Sequence, residues 1–404
     1  MRTAGGPVIG VAAAVGALVI SGVAPGLPIP PQAFGQHVGG IAAAAPTDVQ
    51  LASVRLWDTG TRWDEVEPAP DQYSWDALDA AVDNAQAAGA TDILYVMGST
   101  PQWAARDPQM PGLYGPGTTS LPRDIEDYVD FARTVAQRYK GRISGYQIWN
   151  EANTRSFYEG DWTALAKLTR RAGDAIKLAD PSAQVVAASS TVIPGKLFQT
   201  ESFFVRYARA LHDAGDPVDA MAVHLYPVDT SKGPDARVAS IRAAQRVLNK
   251  VGIDKPLWDT EVNYGDRRPG LPTVIPDPTT AATYVARTYL DAATLGVART
   301  YWYGWDLAVL GIDMTDSSGI APGGRAFLTV RDWLTGARPA GCRNDDGVRR
   351  CHFTAADGAP FTVVWAQGDD VVLDTAQLQV CRVDGSCGQG SADMSVTGEP
   401  VLLR

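Results

Sequence analysis

From about residue 32 to residue 336, hydrophobic positions fall into two alternating patterns. One is a short apolar run of strand length; the other is a longer segment with apolar positions on one helical face. "AFGQHV" and "LASVRLWD" are the first two strand-like runs, and "WDALDAAVDNAQAAGA" is the first clear helix. "DILYVMGS" predicts the third strand. It is followed by "DIEDYVDFARTVAQRY", where Ile125, Tyr128, Val129, Ala132, Val135, Ala136 and Tyr139 recur with a period near 3.6. "GYQIWNE", "AQVVAASST", "VDAMAVHLYP", "PLWDTEVNY" and "ARTYWYGWD" supply strands four to eight. Each is followed by a helical segment: "DWTALAKLTRRAGDAIKLA", "ESFFVRYARALHDAG", "DARVASIRAAQRVLNKVG", "TTAATYVARTYLDAATLG" and "GRAFLTVRDWLTG".

Several of these strands are continuously apolar, as expected where both faces are covered. Eight such units in about 300 residues predict an α/β fold, a (β/α)8 TIM barrel. A doubly wound open sheet is the competing arrangement. As a nucleotide binder it would carry a glycine-rich phosphate turn after an early strand, and no GxGxxG or Walker motif occurs. After about Arg338 the texture changes. "FTVVWAQGDDVVLDTAQLQVCRVDG" alternates strand runs with Gly and Asp turns. The expected division is a signal and linker over 1–31, a catalytic barrel over 32–337, and a small all-β domain over 338–404.

The chain has 404 residues, 45% of them hydrophobic, ample for a barrel and an appendage. Its net charge of -10 disfavours nucleic acid as a partner, because an acidic surface repels phosphate backbones. "MRTAGGPVIGVAAAVGALVISGVA" has a basic start and an apolar run from about Val8 to Val23, short for a membrane span and long enough for a secretory signal. An uncleaved N-terminal anchor is the alternative. No other stretch is long and apolar enough to span a bilayer, so no stable membrane insertion is expected after signal cleavage. All four cysteines lie in the last quarter, and an even count in an exported chain reads as two disulfides. Pairing nearest neighbours gives Cys342 with Cys351 and Cys381 with Cys387. A zinc site is the weaker alternative: no CxxC spacing occurs, and only His352 is nearby.

A barrel of this kind builds its active site at the C-terminal ends of its strands. Strand two ends near Arg55, and strand three near Ser99 with Trp103 just beyond. Strand four ends in Asn150-Glu151, strand six in His224 and Tyr226, strand seven in Glu261, and strand eight in Trp302, Tyr303 and Trp305. Two carboxylates, Glu151 and Glu261, thus face each other among an Arg, a His, a Tyr and several Trp. Cleavage of a glycosidic bond needs such a pair: an acid to protonate the leaving oxygen, and a carboxylate to attack the anomeric carbon. Aromatic faces stack on sugar rings. Taken alone, an Asn-Glu pair at a strand end is an ordinary loop or cap; Glu261 three strands later, with His224 and Tyr226 between, favours catalysis. Asp259, two residues before Glu261 and so expected on the same strand face, reads as a buried structural carboxylate. His37 either rims the pocket or sits in the core. His212 and His352 read as helix and surface residues. "MGSTPQ" is not a GxSxG nucleophile elbow. No HExxH motif or carboxylate cluster suggests a catalytic metal, and no cofactor is implied.

The motifs "YVMGSTPQWAA", "QIWNEAN", "VHLYP" and "DTEVNYG", with the stretch "VRLWDTGTRWDEVEPAPDQYSWDALDAAVDNAQAAGA", resemble those of the clan A retaining glycoside hydrolases. The nearest resemblance is to glycoside hydrolase family 39 and related bacterial exopolysaccharide hydrolases, over roughly residues 34 to 335. It implies that Glu151 is the acid/base and Glu261 the nucleophile. It further implies that Asn150 meets a sugar 2-hydroxyl, and that Tyr226 and Arg55 hydrogen-bond Glu261. His224 would support this shell, and Trp302 would form a platform under the reacting sugar. Scattered Trp are usually core, and Trp103, Trp302 and Trp305 are binding-site candidates only from their strand-end positions. The charge of Glu261 is expected to raise the pKa of Glu151. Adjacent strand residues point to opposite faces, so a bulge or kink is needed for Asn150 and Glu151 both to reach the pocket. The family often has Pro after the Asn-Glu pair, where this chain has Ala152. The implied substrate is a carbohydrate, a β-xyloside or an exopolysaccharide backbone. A transglycosidase using the same pair, or a non-catalytic glycan-binding barrel, are the alternatives. The loops "AARDPQMPGLYGPGTTSLPR" and "GDRRPGLPTVIPDP" are long and rich in Pro and Gly, and such loops often shape a cleft. In the second, Arg267 and Arg268 read as solvent-facing in preference to contacts with an acidic sugar.

Overall fold

The computed structural model describes residues 26–192, 202–227, 229 and 232–404. The expected export signal falls mainly outside the described residues. Eight parallel strands form one sheet: β1 (Phe34–His37), β2 (Ser53–Leu56), β3 (Asp92–Val96), β4 (Gly145–Gln147), β5 (Gln184–Val186), β6 (Met221–His224), β7 (Leu257–Val262) and β8 (Val297–Tyr303). β1 pairs with both β2 and β8. Between β5 and β6, among the described residues, only single bridges, Val186 to Ala220 and Thr191 to His224, join the two edges. The barrel is therefore nearly closed. Almost every strand residue is buried, which accounts for the continuous apolar runs.

Helices α1 (Trp63–Val66), α2 (Asp76–Ala87), α3 (Ile125–Arg138), α4 (Trp162–Ala179), α5 (Phe203–Asp213), α6 (Pro234–Val251), α7 (Pro278–Leu295) and α8 (Pro322–Leu334) surround the strands. Their ends carry recognisable signals. Asp124, Asp161 and Asp277 accept hydrogen bonds from the first free amides of α3, α4 and α7, and Gly252 and Gly296 end α6 and α7 in the left-handed conformation. At the N-terminal ends of the strands Asp92 gathers Ser53, Ser144, Tyr301 and Arg299, with Arg299 Nη1 2.6 Å from both carboxylate oxygens. This buried knot plugs the barrel floor and leaves the opposite end to hold the cleft.

A short ribbon, β9 (Thr315–Asp316) and β10 (Gly319–Ile320), precedes α8. Beyond α8 the chain is antiparallel β. β11 (Arg338–Asp345), β12 (Val348–Thr354), β13 (Pro360–Ala366), β15 (Gln379–Arg382), β16 (Cys387–Gln389) and β18 (Val401–Leu403) make one sheet, and β14 (Val371–Leu373) pairs with β17 (Met394–Val396). β13 alternates as a half-buried strand should. Phe361, Val363 and Trp365 join the main core, while Val364 joins a small second core with Val348, Val380, Val396 and Val401. Arg287 of α7 lies 5.4 Å from the Trp365 ring, so the sheet is seated on the helical layer.

Cys342 is bonded to Cys351 across the β11–β12 pair, and Cys381 to Cys387 across β15–β16. These are the nearest-neighbour pairings expected from the spacing. Each closes a short loop, with separations of 9 and 6 residues. Replacing Cys342 and Cys351 by Ala should therefore lower the stability of the β region by about 2.5 kcal/mol. Denaturant unfolding of the full chain measures this loss. Among the described residues no helix is long and apolar enough to cross a membrane.

Candidate active site

Glu261 reaches the open end of the barrel because β7 is irregular. Val223 pairs with Asp259 and His224 with Glu261, leaving Thr260 as an extra residue. Such a bulge reverses the inward-outward alternation. Asp259 and Glu261 consequently do not share an environment, contrary to their expected common face. Asp259 is fully buried against Arg237 of α6 (Nη2–Oδ2 2.7 Å) and accepts a hydrogen bond from Leu225 N–H. Burial pushes its pKa up to about 6, against the pull of Arg237. Glu261 instead looks into the cleft.

The β4 end is kinked as well. Glu151 has a φ of +40°, a left-handed backbone rarely adopted by residues with a side chain. Its N–H donates to Ser189 Oγ at 2.9 Å, and the next N–H, of Ala152, donates to Ser189 O at 3.0 Å. The turn brings both Asn150 and Glu151 to the cleft wall. It supplies the kink that the adjacent pair required.

Arg55, fully buried, divides its guanidinium between two partners. Nη1 donates to Glu261 Oε2 at 2.8 Å and Nη2 to Asn150 Oδ1 at 2.7 Å. Arg only donates, so Asn150 must turn its oxygen to Arg55 and its NH2 to the cleft. Tyr226 donates its hydroxyl to Glu261 Oε1 at 2.7 Å. Burial and the adjacent Glu261 push the Tyr226 phenol well above its ordinary pKa, so it remains a donor. Glu261 thus has a cation on one oxygen and a hydroxyl on the other, a donor set suited to a carboxylate anion.

Glu151 is held differently. Its Oε1 lies 2.8 Å from His224 Nδ1, and its side chain is only 12% exposed. Burial raises its pKa to about 7, opposed by the charges of Arg55 and Arg268. The cause is desolvation rather than the charge of Glu261 expected from the sequence. Burial lowers His224 to about 3, so it is a neutral imidazole at ordinary pH. Glu151, His224 and Glu261 offer donor atoms within 4.8 Å of one another, the spacing of a metal triad. Arg55 already provides the positive charge there, bonded directly to Glu261, so a divalent ion would have to compete with it.

The cleft is about 440 Å³ in volume. Trp57, Tyr114 and Phe157 form one aromatic wall, with Trp57 5.7 Å from Tyr114 and 6.4 Å from Phe157. Asp58 accepts hydrogen bonds from Tyr114 and from Tyr303, the latter at 3.0 Å, and burial raises its pKa. Opposite, Arg268 is clamped by Asp266 (Nη2–Oδ2 2.6 Å) in a loop that begins at Gly265. A Cβ at Gly265 would stand 2.2 Å from Val274 O, so only glycine fits there.

Several solved structures share this architecture. The chain aligns with a family 39 glycoside hydrolase from Bacteroides cellulosilyticus at a TM-score of 0.67 and 16% identity, over 93% of this chain and 81% of that one. A glucosidase from Croceicoccus marinus gives 0.63 and 17%, over 94% and 96%. The catalytic domain of the family 30 xylanase C from Talaromyces cellulolyticus gives 0.61 and 17%, over 95% and 98%. The fold is that of glycoside hydrolase barrels. No protein-family model matches the chain, and no curated protein sequence matches it.

Of the residues singled out in the sequence, Arg55, Asn150, Glu151, His224, Tyr226 and Glu261 converge at the open end of the barrel. Trp302 and Trp103 do not line the cleft. Trp302 is fully buried, packs on Tyr264 at 5.9 Å and donates its indole N–H to Ile312 O. Its strand neighbour Tyr303 takes the cleft position instead, because β8 residues alternate between helix layer and barrel mouth. Trp103 donates to Glu67 O and packs on Trp63, bracing the loop after β3. His37 is buried beneath Tyr303, with ring centroids 4.6 Å apart. Arg267 is tied to Asp313 and Gly311 O, whereas Arg268, half exposed, lines the cleft. Trp57, Asp58, Tyr114 and Phe157 were not anticipated, whereas Tyr303 stands at the strand-eight end where a site residue was expected, though no role was assigned to it. Trp57 and Asp58 follow β2 directly, and position alone was the available signal. Tyr114 and Phe157 lie deep in loops, where no strand pattern points to them.

Proposed function

We propose that the protein is a secreted glycosidase that hydrolyses O-glycosidic bonds of a β-linked oligo- or polysaccharide with retention. The observation that carries this reading is the unequal pair: Glu261 clasped by Arg55 and Tyr226, and Glu151 buried beside a neutral His224, with donor oxygens within 4.8 Å. Carboxyl groups this close suit attack by one of them rather than by an interposed water. In the first step a Glu261 oxygen bonds to the anomeric carbon as the bond to the leaving oxygen breaks. Glu151 gives its proton to that oxygen. In the second step water attacks the same carbon, Glu151 takes the proton, and the Glu261–carbon bond breaks. His224 occupies one oxygen of Glu151 and leaves the other for the leaving group. The free NH2 of Asn150 meets a sugar hydroxyl, and Tyr303 provides aromatic surface. The resemblance in the sequence and the fold of the solved neighbours support the substrate class. The two disulfides, and the signal-like N-terminal sequence, support an extracytoplasmic site.

A panel of aryl β-glycosides and mixed glycans tests the activity. Release of reducing sugar is expected. Products with new linkages would indicate a transglycosidase, and binding without turnover a glycan-binding barrel. The pH dependence follows from Glu151. The first step needs its proton, and its pKa is about 7. Turnover should therefore fall as pH rises through about 7, as a kcat/KM profile across that range records. A flat profile between pH 6 and 9, a range spanning about two units above that pKa, would remove Glu151 from the acid role.

A further inference from the structure

Helices α4 and α5 leave a groove of about 760 Å³ between them on the outer wall, larger than the cleft. It is lined by Trp162, Lys167, Arg170, Arg206 and Arg209, with Asp213 as the single carboxylate among the described lining residues. A chain of net charge -10 has thus concentrated four cations in one concavity. Lys167, Arg170 and Arg209 are exposed, and among the described residues none of the three has a carboxylate partner. The guanidinium of Arg206 lies 4.3 Å from the centre of the Trp162 ring, giving the groove an aromatic floor with a cation on it. Lys167 and Arg170 are three residues apart on one helix, and Arg206 and Arg209 three apart on the other. Each pair is therefore spaced by nearly one helical turn along its side of the groove.

We propose that this groove binds a polyanionic polysaccharide, separately from the cleft. Two facing rows of cations suit a polymer with an acid group recurring along it, and the indole suits the apolar face of a pyranose. The groove is also connected to the catalytic end. Trp162 meets Phe203 at 6.4 Å, Phe203 meets Tyr158 at 6.2 Å, and Tyr158 meets Trp149 at 5.7 Å, beside Asn150 and Glu151. A glycan held there lies along the same side of the barrel as the loop that follows β4. The choice of a glycan as occupant rests on the proposed function; the charge of the groove does not.

Affinity gel electrophoresis of the full chain tests the proposal without requiring turnover. Polygalacturonate, dextran sulfate, neutral dextran and duplex DNA serve as the embedded polymers. The wild-type protein should be retarded by polygalacturonate or dextran sulfate and not by neutral dextran, and the two polyanions separate carboxylate from sulfate recognition. A variant carrying Lys167→Glu, Arg170→Glu and Arg209→Glu should bind at least about 10-fold more weakly, and salt near 0.5 M should release the wild type. Unchanged thermal unfolding shows that this surface variant is folded. The Glu261→Ala protein should be retarded like the wild type, so loss of activity and loss of binding are read separately. Absence of retardation by either polyanion, retardation unaffected by the three substitutions, or equal retardation by neutral dextran would each overturn the proposal. Retardation by DNA as strong as by either glycan would overturn the assignment of a polysaccharide.

Discussion

Replacing Glu261 by Ala should reduce turnover by about 10^4-fold or more, on good and poor leaving groups alike. In the proposed reaction the substitution removes the atom that bonds to the anomeric carbon, and no neighbouring group among the described residues is placed to replace it. Asp259, the nearest carboxylate in sequence, is locked behind β7 with Arg237. The loss should appear in both steps, because without the covalent intermediate there is nothing for water to hydrolyse. A small external nucleophile such as azide, entering the space left by the side chain, should restore part of the rate on an activated aryl glycoside. Its product should be the glycosyl azide of inverted configuration. Restored activity yielding the retained azide would mean that Glu261 is not the attacking group.

The Glu151→Ala variant should behave in the opposite way with respect to the leaving group. General acid catalysis contributes about 10²–10⁴-fold where the leaving oxygen is basic, and little where it departs unaided as a stable phenolate. Turnover of unactivated glycosides should fall by that factor, while the first step on a dinitrophenyl glycoside should remain near wild type. Release of the intermediate should then be slow, since in the proposed reaction Glu151 also activates the water, and a burst of phenolate followed by a slow steady state should be visible. The basic limb near pH 7 should disappear with the carboxyl group. Equal losses on the two kinds of substrate would argue against the acid/base role.

The barrel was legible because each parallel strand is buried on both faces and so reads as an unbroken apolar run between amphipathic helices. Strand ends then pointed to Arg55, Asn150, Glu151, His224, Tyr226 and Glu261 with no knowledge of their contacts. Illegible were the features that depend on one residue of register. Thr260 is inserted opposite β6, which sends Asp259 and Glu261 to different environments. Trp302 and Tyr303 differ by a single position, and the larger aromatic was the wrong one to place in the cleft. α1, four residues long, has too few apolar positions to show a period. Tyr114, Phe157 and Arg268 reach the cleft from loops whose path is set by tertiary contacts, such as the close approach of Gly265 to Val274. The origin of the raised pKa of Glu151 was also hidden, since burial of a particular side chain is not written in the strand pattern.

The central claim is that Glu151 and Glu261 act as a double-displacement pair. Proton NMR of the anomeric region, recorded in the first minutes of hydrolysis of an aryl β-glycoside before mutarotation, tests it most directly. The account predicts that the first sugar to appear is the β-anomer, with the α-anomer growing in only as mutarotation proceeds. An α-anomer formed first would show single displacement by water, and would contradict the assignment of Glu261 as nucleophile.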